Sequence, residues 1–188
     1  MTHLFAQWLV AAVICGISGV AIADTTTSAY AGEESRSIKA LSADEIAALR
    51  DGLGMGLAKA AELNHYPGPV HVLELADELQ LSADQRARTE ATFRHMREQA
   101  RALGAALIAA ERDLDQMFAA TRATPDAVEV ALSRVADLQA RLRAVHLNAH
   151  LAQRDILSAT QLARYDQLRG YGAPVSGTPT RPATGHAH

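Results

Sequence analysis

His146 and His150 stand four residues apart in the stretch HLNAHLAQRDILSATQ, residues 146–161, and this spacing is the chain's clearest opening for chemistry. Residues four apart share one face of a helix, so both imidazoles could reach a single ion, and imidazole suits zinc, copper, nickel or cobalt. Two ligands do not complete a site. Met96 could add a soft thioether, and His71 with Glu74, and Glu78 a turn beyond, could approach from a covering element together with His65. Each has a plainer reading. A methionine on an apolar seam fills space. His71 and Glu74 fall on the wet side of a short segment whose apolar side is Val70, Leu73, Ala76 and Leu79. The histidine pair itself reads as a polar flank hydrogen-bonded to its neighbours, with Arg97 near enough to repel a cation. His186 and His188 can hold metal only loosely, because ordering their polar tail costs entropy.

Catalytic sets are missing from the pattern. Cys15 is the only cysteine and lies in an apolar leader, Ser82 and Ser158 have the spacing of helix caps, and no His-Glu-x-x-His or strand-preceded glycine loop occurs. An enzyme is not expected.

The elements that carry these residues are helices. Phe93, Met96, Ala100, Leu103, Leu107, Ala110, Leu114 and Met117 alternate spacings of three and four, which is a heptad seam. Thr124-Pro125 is a helix-start pair, and Val128, Ala131, Val135, Leu138, Leu142, Val145, Ala149, Ala152 and Ile156 continue the rule. Two long helices so joined form an antiparallel hairpin about 50 Å long. Its register puts His150 level with Met96 and His146 level with Ala100, both beside the seam. Ser42-Ala-Asp-Glu45, Leu81-Ser82-Ala-Asp-Gln85 and Leu157-Ser158-Ala-Thr-Gln161 have the form of capping boxes. They predict shorter covering helices over 43–63 and 158–169, with another over 70–79 after the breaker Asn64-His-Tyr-Pro-Gly-Pro69. Gly52, Gly54 and Gly56 predict a bend or a close backbone contact in the first of these. The fold class is all-α, a long antiparallel helical hairpin with shorter covering helices, four to five in all.

Leu9 to Ala23 is an apolar run ending in Ala21-Ile22-Ala23, which reads as a secretory signal peptide, a retained anchor being the alternative. The expected organisation is then signal peptide 1–23, flexible arm 24–40, N-terminal helix 41–66, helical domain 67–171 and disordered tail 172–188. With 18 Lys and Arg against 21 Asp and Glu, the chain lacks the basic excess of a nucleic-acid binder. Lysine occurs only at 39 and 59, so the positive charge is nearly all guanidinium. Arg94, Arg97, Arg101, Arg141, Arg143 and Arg154 dot the hairpin, either as a surface for loosely held chains or as solvated faces paired with Glu90, Glu98, Glu111 and Asp137.

An apolar leader, a long helical hairpin and two L-[TS]-x-x-Q pentads, Leu81 to Gln85 and Leu157 to Gln161, together resemble the Spy/CpxP family and its ZraP and CnrX type relatives over about residues 70–171. The resemblance implies a periplasmic, non-enzymatic, all-helical protein, often a homodimer. Such proteins act as ATP-independent chaperones for misfolded clients, as regulators of a sensor kinase's periplasmic domain, or as heavy-metal sensors. The chain departs from the pattern in its scarcity of lysine, in lacking the early histidine pair of the CnrX type, and in residues 41–69. The expected function is envelope-stress or heavy-metal resistance through binding of a divalent transition metal at His146 and His150. A chaperone or kinase regulator without a metal site is the alternative.

Overall fold

The computed structural model describes residues 27–171; the expected signal segment and the tail with His186 and His188 lie outside the described residues. Residues up to Glu34 form a unit of their own, described from residue 27 as a run of turns closed by bonds from Ala31 N to Ser28 O and Glu33 N to Tyr30 O. The second unit begins at Ser35 and holds the helices. None of the helices described is long and apolar enough to cross a membrane.

The hairpin is the frame of this second unit. Helix α4, Ala83–Ala119, and helix α5, Pro125–Ile156, are joined by a short turn and pack along their length. Thr124 caps α5 by accepting from Ala127 N, with Pro125 at the first helical position, where no amide donor is missed. On α4 the expected seam residues Met96, Ala100, Leu107 and Ala110 are buried, but so are Gly104, Ile108 and Glu111, one step round the helix. A second neighbour, helix α1, Ala43–Asp51, lies on α4. A Cβ at Gly104 would overlap the Leu49 carbonyl, so the glycine is what lets the two backbones approach.

The buried stripe of α5 runs Val135, Leu138, Leu142, His146, Ala149, Gln153 and Ile156. It leaves the expected heptad at residue 146, since Val145 is only half-buried and Ala152 is exposed. Steps of 4, 4, 3, 4 and 3 from Leu138 follow the 3.6-residue period of a straight helix, whereas the heptad seam assumed a supercoiled 3.5.

The expected helix over 43–63 is two helices. Helix α1 stops at Gly52, whose φ of 66° is the left-handed cap conformation, and α2, Lys59–Glu62, is a single turn. A Cβ on Gly52 would come within 2.9 Å of the Arg97 carbonyl, which explains the break there. The third covering helix, α3, Pro69–Glu74, is shorter than the expected 70–79 and passes into turns. Helix α6, Ala159–Arg169, matches its expected span. The expected flexible arm is packed at its end: Ile38 is buried with Leu49, Leu107 and Leu138, and Lys39 N donates to Asp115. A second cluster of Val72, Leu79, Leu157 and Tyr165 closes the base of the hairpin.

Candidate functional site

The break at Gly52 has a consequence for the hairpin. Because α1 ends there, the chain from Gly52 to Pro69 crosses the hairpin as loop, single turn and loop, and a cavity of about 590 Å³ remains between it and the helices. Phe93, Met96 and Arg97 line it from α4, and His146, Ala149 and His150 from α5. Met96 shares a wall with the two histidines. Exposed Leu53, Met55, Leu63 and Val70 form an apolar rim. Val70, expected on the buried side of its helix, instead belongs to this rim.

His146 is not the solvated flank that the heptad register implied. It is 5% exposed, neither ring nitrogen has a hydrogen-bond partner among the described residues, and Nε2 is closed off from solvent. Burial, and secondarily the charge of His150, lower its proton affinity below the ordinary 6.5, so the ring is neutral. Gly54 lies against it, where an added Cβ would meet Nδ1 at 3.7 Å. His150 is oriented: its Nδ1 donates to the Tyr66 carbonyl at 2.8 Å. A carbonyl can only accept, so the proton is on Nδ1 and Nε2 keeps a free lone pair on the side of Gly68.

Glu62, which the sequence did not single out, organises the other end. Its Oε1 accepts from the Tyr165 hydroxyl at 2.6 Å and the Tyr171 hydroxyl at 3.0 Å, and its Oε2 accepts from Gly68 N at 3.1 Å. Arg169 Nε lies 3.4 Å and His150 Nδ1 3.7 Å from its oxygens. Burial, and then the bond to Glu62, push the Tyr165 hydroxyl well above its usual range, so it remains a donor. Four elements meet at this carboxylate, namely α2, α5, α6 and the loop before α3. Its only sequence trace was a glutamate just before the Asn64 to Pro69 breaker, since its partners lie up to 109 residues away.

The other expected ligands are dispersed. His71 lines the cavity but its Nδ1 pairs with Glu74 at 2.8 Å, and Glu74 faces solvent. His65 pairs with Asp166 at 2.9 Å and not with His71. His95 is exposed. Among the described residues no three His, Cys, Asp or Glu side chains converge as a metal site. Arg97 bonds the Asp51 carbonyl through Nε, and Arg154 stacks on Tyr66 at 4.3 Å. Glu111, expected to pair with an arginine, is buried, and its carboxyl is pushed upward by desolvation.

The pentads are capping boxes, and something more. Ser82 accepts from Gln85 N and Ser158 from Gln161 N, while each glutamine returns Oε1 to its own serine's amide. The two glutamines also bond each other, Gln85 Nε2 to Gln161 Oε1 at 2.8 Å and Gln161 Nε2 to Gln85 Oε1 at 3.0 Å. Each amide reaches one further carbonyl, of Ile156 and of Leu79. Leu81 and Leu157 pack in the cluster beneath. Compared with known proteins, the chain matches no family model, no curated protein and no solved structure.

Proposed function

We propose that this is a non-enzymatic periplasmic protein of the Spy/CpxP type, acting in envelope stress or heavy-metal resistance, that binds a divalent transition metal through His146 and His150. The observation that supports the metal is the state of the two rings. His146 is a neutral, buried imidazole without a hydrogen-bond partner among the described residues, its Nε2 closed off from solvent. One turn away His150 has its tautomer set by a backbone carbonyl, the usual arrangement for a ligating histidine. Met96 on the same wall is the third donor, and its thioether favours copper over zinc, nickel or cobalt.

Calorimetric titration with each of the four ions tests this. One saturable site is expected, weakened at least tenfold by His146→Ala and by His150→Ala. Absence of saturation, or indifference to both changes, overturns the reading.

The exposed rim of Leu53, Met55, Leu63 and Val70 favours a second reading, ATP-independent retention of misfolded clients with no metal. It requires that near-stoichiometric protein suppress light scattering from an aggregating client in the presence of EDTA. Unchanged scattering at excess protein removes it. A homodimer, or docking to a sensor kinase's periplasmic domain, is compatible with either reading.

A further inference from the structure

We propose that the cavity beneath the Gly52–Pro69 segment is a binding site for a small aliphatic carboxylate, with its charge between Arg97 and His146 and its hydrocarbon body under the apolar rim. The volume of about 590 Å³ lies in the range of pockets that enclose a small organic ligand. Its lining is mainly Gly, Ala, Leu, Met, Val and Phe carbons, with few polar groups.

Three permanently charged residues line it, Lys59, Arg97 and Glu62. Glu62 is committed to two tyrosine hydroxyls, the Gly68 amide and Arg169. Lys59 and Arg97 have no carboxylate partner among the described residues; Arg97 spends one nitrogen on the Asp51 carbonyl and keeps its two terminal amines. The uncommitted charge is therefore positive. His146, more than nine-tenths buried, lines the cavity too, with Nδ1 on the Gly54 side, and its ring N–H has no acceptor among the described residues. A carboxylate satisfies that donor and the guanidinium together, and the apolar tail covers Leu53, Met55, Leu63 and Val70, otherwise exposed to water.

This site differs from the metal reading in needing no ion, and the test is made in EDTA. The probe is decanoate, followed by methyl resonances of methionine in the unmodified protein. Met55 and Met96 line the cavity, while Met117 lies near the far end of α4 and serves as the control. Decanoate is expected to shift Met55 and Met96 saturably at submillimolar concentration and leave Met117 in place. Gly54→Leu is expected to weaken it at least tenfold, since Gly54 has no backbone conformation that excludes a side chain and the added atoms point at His146. Equal binding of decan-1-ol or decylamine, movement of Met117 alongside the others, or no shift at all overturns the proposal. Should Gly54→Leu misfold, the methionine pattern in the unmodified protein still decides. Loss of metal binding in the earlier titration leaves this outcome untouched.

Discussion

The His146 Nε2 is an unmet hydrogen-bonding nitrogen inside the hairpin, and leaving such a group unsatisfied costs about 1–3 kcal/mol. His146→Leu removes the polar atoms at similar size and is expected to raise the urea midpoint by the equivalent of about 1 kcal/mol. The same residue sets a pH dependence. Its folded proton affinity lies below the unfolded 6.5, so the unfolded chain takes up the proton first as pH falls. Stability is then present above about 6.5 and declines as pH drops below it. His146→Leu should flatten that slope in melts from pH 7.5 to 5. Glu111 works in the opposite direction. Its folded pKa is raised above 4.5, so its penalty is full at neutral pH and fades as pH falls through the raised value towards 4.5. Glu111→Gln should raise the melting temperature at pH 7 and lose its advantage near pH 4. At this scale the sequence exposed the histidine pair by its spacing but misjudged its burial. A one-residue drift between the 3.5 and 3.6 periods accumulates over α5 and turns residue 146 inward in place of Val145.

Among the elements, α1 and α4 meet where a side chain is forbidden. Alanine is about 1 kcal/mol better than glycine inside a helix, so propensity alone favours Gly104→Ala. The Leu49 carbonyl in the path of its Cβ reverses the sign. The change is expected to lower stability by about 2 kcal/mol or more in denaturant titration, and a gain would show that α1 does not sit against α4. Gln85 and Gln161 give a complementary test. Each alanine variant breaks a cap and removes the same amide–amide pair, the partner keeping its serine and its carbonyl, so the double variant should cost about 1 kcal/mol less than the sum of the singles. The hairpin, its caps and α6 were legible because their signals are local: seam spacing, a Thr-Pro start, Ser with Gln three later. The crossing segment from Gly52 to Pro69 was legible only as a run of breakers. Its path depends on contacts with Arg97, His150 and Tyr165 that no local pattern encodes.

Over residues 35–171 as a whole, cover is uneven along the hairpin. The middle and base are overlaid by α1, α2, α3 and α6, and there Ala100, Leu107, Leu138 and Leu142 are buried. Towards the turn Phe118, Val130 and Leu132 are all at least half exposed. Hydrogen exchange should therefore report two stabilities, with peptides from 113–131 exchanging well before those from 96–110. Uniform protection along both long helices would contradict this reading. The paired glutamines at the base bear on the order of events in folding. From the turn at Ala120–Thr124 the hairpin can zip by adding one short loop at a time, and the Gln85–Gln161 contact, 76 residues apart in sequence, forms only when the zipping reaches the base. The clasp then belongs to the last stage of assembly and is absent from the transition state. Gln85→Ala should speed unfolding while leaving the refolding rate almost unchanged. Two short cap motifs thus govern how long the folded chain lasts more than how fast it is reached.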